Sequence, residues 1–179
     1  MGHFYFVRHG QTVWNVENKI CGATDIALTD YGHQQAIALG KQITADGLQI
    51  DEILYSPLQR AKETARHISE ETGIPMREEP RLKEQNFGIY ESTPRDGEEF
   101  RLAKMNFINT FEGGESMAQM FQRIYNLLDE LKEQSQNKTF LLVAHNGISR
   151  IVQSYFTDMS NEEFAMFGIH NCEIREYKW

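Results

Sequence analysis

Apolar residues along this chain follow two registers that take turns. Short unbroken runs have strand length and read as buried strands: Phe4-Tyr5-Phe6-Val7, Glu52-Ile53-Leu54-Tyr55 and Thr139-Phe140-Leu141-Leu142-Val143-Ala144. Between them, apolar positions recur every three or four residues. A helix is predicted from about Asp30, capped by Thr29, with Ala36, Leu39 and Ile43 on one face and Gly47 as its stop. Ser56, Pro57 and Gln59 have the spacing of a capping box with proline at the first helical position. A second helix therefore runs from there to about Thr72, ended by Gly73 and Pro75. The longest amphipathic stretch, about Glu115 to Gln134, aligns Met117, Met120, Phe121, Ile124, Leu127, Leu128 and Leu131. Another helix begins near Gly147, and the charged run Glu173 to Tyr177 reads as a last strand at a sheet edge.

Residues 75 to 113 keep no steady period and contain Pro80, Pro94 and many charges. They are predicted to form a short strand and then an excursion over the sheet, a small cap from about 80 to 113. Strands alternating with helices predict an α/β fold, a three-layer α/β/α sandwich around a mostly parallel sheet. The 179 residues fit a single domain, with no repeat or linker to divide them.

Composition narrows the class. Hydrophobic residues make up 40% and charged residues 25%, the balance of an ordinary soluble protein. No run is long enough to cross a bilayer, and the opening MGHFYFVRHG meets a charge too early for a signal peptide, so a cytoplasmic protein without a membrane partner is expected. Cys21 and Cys172 lack CxxC spacing and read as free thiols, although two cysteines can pair. The formal charge of −8 argues against nucleic acid as a partner. It also means that an anionic substrate has to be drawn by a local cluster of cations. Nothing in the pattern sets an oligomeric state.

Three strands lead into polar groups that packing does not require. The first ends in Arg8-His9, the second feeds the helix bearing Arg60, and the run at 139 to 144 ends at His145. In open α/β sheets ligands sit beyond the carboxyl ends of the strands, where helix N-termini add free N–H groups. Two histidines and two arginines converging there suit a dianionic phosphoryl group. Taken singly, each has a plainer reading: a histidine at a strand end often only holds structure, and Arg60 beside Lys62 and Arg66 could be a solvated face. His3, His33, His67 and His170 read as ordinary histidines. Metal ligation is the other chemistry open to His9 and His145. With no HxH, HExxH or Cys/His cluster, no metal and no cofactor are expected.

The words around these residues are more specific. Arg8-His9-Gly10-Gln11-Thr12 with Asn15 resembles the RHGxTxxN signature of the histidine phosphatase superfamily, the phosphoglycerate mutase-like proteins. Further blocks follow in the same order. Gly22, Asp25, Leu28-Thr29 and Gly32 are similar to the segment after that signature, and Ser56 to Ala61 with Thr64-Ala65 to its SPLxRAxxTA block. Leu82-Lys83-Glu84 with Phe87-Gly88 and Glu91, Gly114-Glu115-Ser116 with Arg123, Val143 to Arg150, and Asn171-Cys172 complete the likeness over nearly the whole chain.

That resemblance implies a metal-independent phosphomonoesterase acting on a small phosphorylated substrate. His9 would be the nucleophile, Arg8 and Arg60 would grip the phosphoryl oxygens as bidentate forks, and His145 would stabilise charge on them. Asn15 would add a neutral donor. Glu84 would protonate the leaving oxygen and then activate water against phospho-His9. Cys21, before Gly22, stands where relatives touch substrate, and it reads equally as a small buried thiol. Asn146 replaces a usual glycine, and its amide is within reach of the ligand in this reading. A phosphoglycerate mutase is the alternative enzyme, and a non-catalytic phosphate-binding module the alternative from another class. The excursion sets Arg95, Arg101 and Lys104 against Asp96, Glu98, Glu99, Glu112 and Glu115, an acidic balance taken here to favour hydrolysis.

Overall fold

The computed structural model describes residues 2–179. Its strands are β1 (His3–Arg8), β2 (Glu52–Tyr55), β3 (Met76–Glu78), β4 (Phe140–Ala144) and β5 (Ile174–Lys178). Its helices are α1 (Val13–Val16), α2 (Asp30–Ala45), α3 (Gln59–Thr72), α4 (Glu98–Ala103), α5 (Met117–Gln134), α6 (Asn146–Phe156) and α7 (Asn161–Met166). The strands form one sheet in the order β3-β2-β4-β1-β5, parallel except for β5, which runs antiparallel to β1 at the edge.

Alternation along the strands builds the three layers. Phe4, Phe6, Leu54, Phe140, Leu142 and Ala144 face α5 and α6, joined by Ile124, Leu128, Ile148 and Val152. Val7, Ile53, Leu141 and Val143 point the other way, onto Leu39 and Ile43 of α2 and Ala61, Ala65 and Ile68 of α3. Both faces of β4 are covered, which is why its apolar run is continuous rather than alternating. A large-to-small change at the wholly buried Leu142 would cost about 2–5 kcal/mol.

One element end departs from the sequence reading. Thr29 caps α2 as expected, its side chain accepting the Gly32 N–H. Ser56, however, does not cap α3: that helix opens at Gln59 after Leu58, with no side-chain cap. The Gln59 N–H is taken by the Asp25 carboxylate at 2.7 Å, while Ser56 Oγ accepts only a long contact from the Leu58 N–H at 3.4 Å and lies 2.7 Å from His145 Nε2. The spacing at 56 to 59 thus does not close a capping box.

Between β3 and α5 the chain makes two short 3-10 turns, Pro80–Leu82 and Gly88–Tyr90, and then α4. Ile20, Phe87, Tyr90, Phe100 and Phe111 form a small aromatic cluster of their own here. The bridge between Lys19 and Pro94 ties this excursion to the loop after α1.

Candidate active site

β1 and β4 lie side by side and in parallel, with Arg8 opposite Ala144, so His9 and His145 leave the sheet together. Their ring centroids are 5.2 Å apart. The His9 N–H extends the ladder to the Ala144 carbonyl at 2.9 Å, which fixes the backbone just where the strand ends. His9 Nδ1 sits 2.7 Å from the Gly10 carbonyl. A carbonyl only accepts, so Nδ1 carries the proton and Nε2 keeps its lone pair. Burial, and then the Arg60 and Arg8 charges, hold this imidazole well below the usual histidine range, so it is neutral at pH 7.

The loop after His9 is threaded through a tight space. A Cβ on Gly10 would come within 2.5 Å of the Gly32 carbonyl oxygen, and one on Gly32 within 2.1 Å of the Gln11 carbonyl oxygen. Only glycine at both positions lets this loop lie against the start of α2. Thr64 of α3 then accepts the Gly10 N–H at 3.0 Å. Asn15 belongs to the cap of α1: its Oδ1 accepts from Thr12 N–H at 3.0 Å and from Asn171 Nδ2 at 3.3 Å, which leaves its own Nδ2 for the cleft.

Arg8 and Arg60 differ in exposure to the cleft. Arg8 lines it and donates through Nη1 to the Ile169 carbonyl at 2.7 Å. Burial and the neighbouring Arg95 lower its pKa to about 10, so it stays charged at neutral pH. Arg60 is wholly buried behind the wall and donates to the Thr24 and Gly22 carbonyls at 2.9 and 2.7 Å. Gly22 therefore serves by its backbone, orienting Arg60, while its N–H goes to Glu91 at 3.0 Å. The Nε atoms of Arg8 and Arg60 and Nδ1 of His145 are all buried with no hydrogen-bond partner among the described residues. Unpaired buried donors are costly, and an anion bound beside His9 is one way to satisfy them. His145 is likewise held well below the usual range, by burial first and Arg60 second.

Glu84 reaches the site from the excursion. It is buried, with Oε1 taking the Gln85 N–H at 3.0 Å and Oε2 the Gly147 N–H at 2.9 Å. Asn146, at the first position of α6, lines the cleft and accepts the Ile169 N–H at 3.0 Å. Cys21 lines it too, its thiol pushed up by burial and so protonated at neutral pH.

The cleft gathers Arg8, His9, Asn15, Cys21, Glu84 and Asn146. Arg60, His145 and Gly22 lie just behind this lining. Three further cations, noted in the sequence but not assigned to the site, line the cleft: Arg95 and Lys104 of the excursion and Arg150 of α6. The acidic balance of the excursion is therefore a poor guide to the sign of its inner face. Asp96, Glu98, Glu99 and Glu112 are exposed, while Arg95 and Lys104 reach the ligand side. Burial, then Arg150 and Arg95, lower the Lys104 pKa to about 8.

A mostly parallel sheet whose carboxyl edge carries a neutral buried histidine among arginines is suited to holding a phosphoryl group. Residues 4–179 match the family model of the histidine phosphatase superfamily (branch 1), and the chain belongs to that family. It is 33% identical over 177 residues to a protein of Erwinia tasmaniensis named "Probable phosphoglycerate mutase GpmB", covering 95% of this chain and 81% of that one. The Yersinia pestis protein of the same name is 36% identical over 178 residues, with the same coverage. Among solved structures, a mycobacterial glucosyl-3-phosphoglycerate phosphatase superposes with a TM-score of 0.83 at 26% identity, over 98% of this chain and 89% of that chain. The alpha-ribazole phosphatase of Shigella flexneri gives 0.81 at 25% identity, over 97% and 89%. No helix among the described residues is long and apolar enough to cross a membrane.

Proposed function

We propose that this protein is a phosphate-monoester hydrolase that works through a phosphohistidine at His9, on a small metabolite whose leaving group is itself anionic. The observation that carries the reading is the state of His9: buried, neutral, its proton committed to Gly10, and its Nε2 lone pair free beside two guanidinium groups. In this scheme Nε2 attacks phosphorus while the bond to the leaving oxygen breaks. Arg8 and Arg60 balance the equatorial oxygens. With the Ser56 hydroxyl donating to His145 Nε2, the His145 proton sits on Nδ1 and faces the same oxygens. The amide of Asn15 adds a neutral donor. Glu84 gives its proton to the leaving oxygen, then removes one from the water that attacks phospho-His9, releasing inorganic phosphate and restoring both groups. No metal enters the scheme, because the arginines supply the positive charge.

The leaving-group side supports the anionic requirement. Arg8, Arg95, Lys104 and Arg150 line the cleft and Arg60 backs it, against the single carboxylate Glu84 in the lining. A phosphoryl dianion leaves cationic charge over, which a carboxylate or second phosphate would meet. Phosphorylated carboxylic acids and bisphosphorylated metabolites fit. Arg95, Lys104 and Arg150 also favour a second reading, a phosphoglycerate mutase, which agrees with the name of the two sequence relatives. Hydrolysis is preferred for the short excursion and for the likeness to solved phosphatases. The unpaired thiols Cys21 and Cys172 fit work in the reducing cytoplasm.

His9→Ala tests the reading. Rapid-quench mass spectrometry of the wild-type protein should find one phosphoryl group on the peptide carrying His9, and the variant should lose both that group and at least about a thousandfold in kcat. Near-normal turnover in a folded His9→Ala protein would overturn the phosphohistidine.

A further inference from the structure

Away from the cleft, His33 of α2 and His67 of α3 meet across the seam between their helices. His33 Nδ1 lies 2.8 Å from His67 Nε2, with the rings at 89°. Glu63 stands one turn before His67 on the same face of α3, and one donor atom from each of the three lies within 4.8 Å of the others. The proposed reaction uses none of them. We propose that His33, Glu63 and His67 form a binding site for a zinc ion, with water in the fourth position.

Two imidazoles and a carboxylate are a zinc donor set. Zinc–ligand bonds of about 2.0–2.2 Å place tetrahedral neighbours about 3.3 Å apart, so the two rings have to part by roughly half an ångström. Both are partly buried at the rim of the seam, where side-chain rotation can supply that shift. The surroundings supply an outer carboxylate as well. His67 Nδ1, the nitrogen turned away from the site, is 3.6 Å from Glu70 Oε2. A carboxylate behind a ligating imidazole fixes the ring and strengthens it as a donor.

Arg66 opposes the ion: its Nη2 lies 3.4 Å from His67 Nε2, the nitrogen a metal would take, and has to move off it. Its Nε and Nη2 both donate to Glu63 Oε2, at 3.0 and 2.8 Å, which leaves Oε1 to a metal. Its Nη1 is held by Glu70 at 2.5 Å, on the side toward solvent. The guanidinium can therefore stay with Glu70 while Glu63 turns inward.

The place of the site gives it a purpose. Thr64, next to Glu63, accepts the Gly10 N–H and donates to the Arg60 carbonyl at 2.7 Å. A zinc ion at the seam would staple α2 to α3 directly behind the His9 loop. It would act on the rigidity of that support and not on the reaction itself.

The test is a titration of EDTA-stripped full-length protein with zinc chloride at pH 7.5, followed by calorimetry and by thermal unfolding. One zinc per chain is expected, with Tm rising by roughly 5–10 °C at a hundredfold excess over Kd. His33→Gln or His67→Gln should weaken binding by at least about tenfold and remove the rise, while leaving zinc-free turnover unchanged. His9→Ala should bind zinc as the wild type does, which separates this site from the cleft. Absence of saturable binding, or binding that survives both glutamine variants and is lost in His9→Ala, would overturn the proposal. Should the glutamine variants not fold, an anomalous-scattering map of wild-type crystals at the zinc edge decides. A peak bounded by His33, Glu63 and His67 supports the site, and a peak elsewhere or none refutes it.

Discussion

Glu84 Oε2 accepts the Gly147 N–H at 2.9 Å, so a side chain from the excursion is seated on the first turn of α6, the helix that starts directly after His145. The contact needs a glycine: a Cβ on Gly147 would stand 2.4 Å from Glu84 Oε1. Gly147→Ala should therefore displace the carboxylate while the helix still forms. A fall in kcat of at least about tenfold on an alkyl phosphate is expected, with far-UV circular dichroism unchanged. Full activity in that variant would mean that Glu84 tolerates displacement and does not act at a fixed position.

The two buried histidines make a pH prediction. His9 and His145 lie well below the ordinary value of 6.5, through burial first and Arg60 second. An unfolded chain takes up protons on these rings as the pH falls through that value, and the folded chain does not until lower pH. The unfolded state thus gains protons, and stability drops as the pH falls below 6.5. In NMR titrations both imidazoles should remain neutral at pH 6. A ring that titrates near its ordinary value would show that its site is wetter than the packing implies.

Lys104 makes another. Its pKa, lowered to about 8 by burial, Arg150 and Arg95, lets the ammonium lose its proton within the assay range. The cation is present below that pH and lost above it. For a substrate with an anionic leaving group, kcat/KM should therefore fall by up to roughly tenfold as the pH passes from 7 to 9. A substrate with a neutral leaving group should lack the fall, and Lys104→Arg should abolish it. Identical profiles for the two substrates would remove Lys104 from the leaving-group site.

Product analysis separates the two enzyme readings. Given 3-phosphoglycerate, the protein should release inorganic phosphate and glycerate, or not react, and form little 2-phosphoglycerate. Rapid exchange between the two isomers without phosphate release, read by phosphorus NMR, would replace hydrolysis by mutase chemistry.

Physical range explains what was legible in the sequence. Phe140 to Ala144, Thr29 and the stripe from Met117 to Leu131 announce themselves because strand length, a cap and a helical period are local signals. Ser56 misleads for the same reason: its local spacing mimics a cap, and its partner His145 lies 89 residues away. Arg95 and Lys104 were visible as charges, but an irregular segment has no period to say which face turns inward. His33 and His67 sit on different helices, so no spacing rule could join them. The helix α7 was missed: Ser160 and Glu163 form its capping box, but Phe164 is its only buried residue and makes no period.

Glu84 remains the role most open to direct test. If it donates a proton, the demand for that proton depends on the leaving group. An aryl phosphate such as p-nitrophenyl phosphate departs as a stable anion, whereas an alkyl phosphate departs as a strongly basic alkoxide. Glu84→Gln should slow formation of phospho-His9 from the alkyl ester more than from the aryl ester, by roughly a hundredfold in ratio. Glutamine keeps the length of the side chain but retains only one acceptor oxygen for the two N–H groups of Gln85 and Gly147. Folding must therefore be checked, and a general loss from misplacement would strike both esters alike. Steady-state rates would blur the comparison, because in the proposed scheme the same carboxylate would also activate water in the second step. Single-turnover phosphorylation by each ester at one pH isolates the first step. Equal losses would leave Glu84 as a positioning residue, and the proton for the leaving oxygen would have to come from another group or from water.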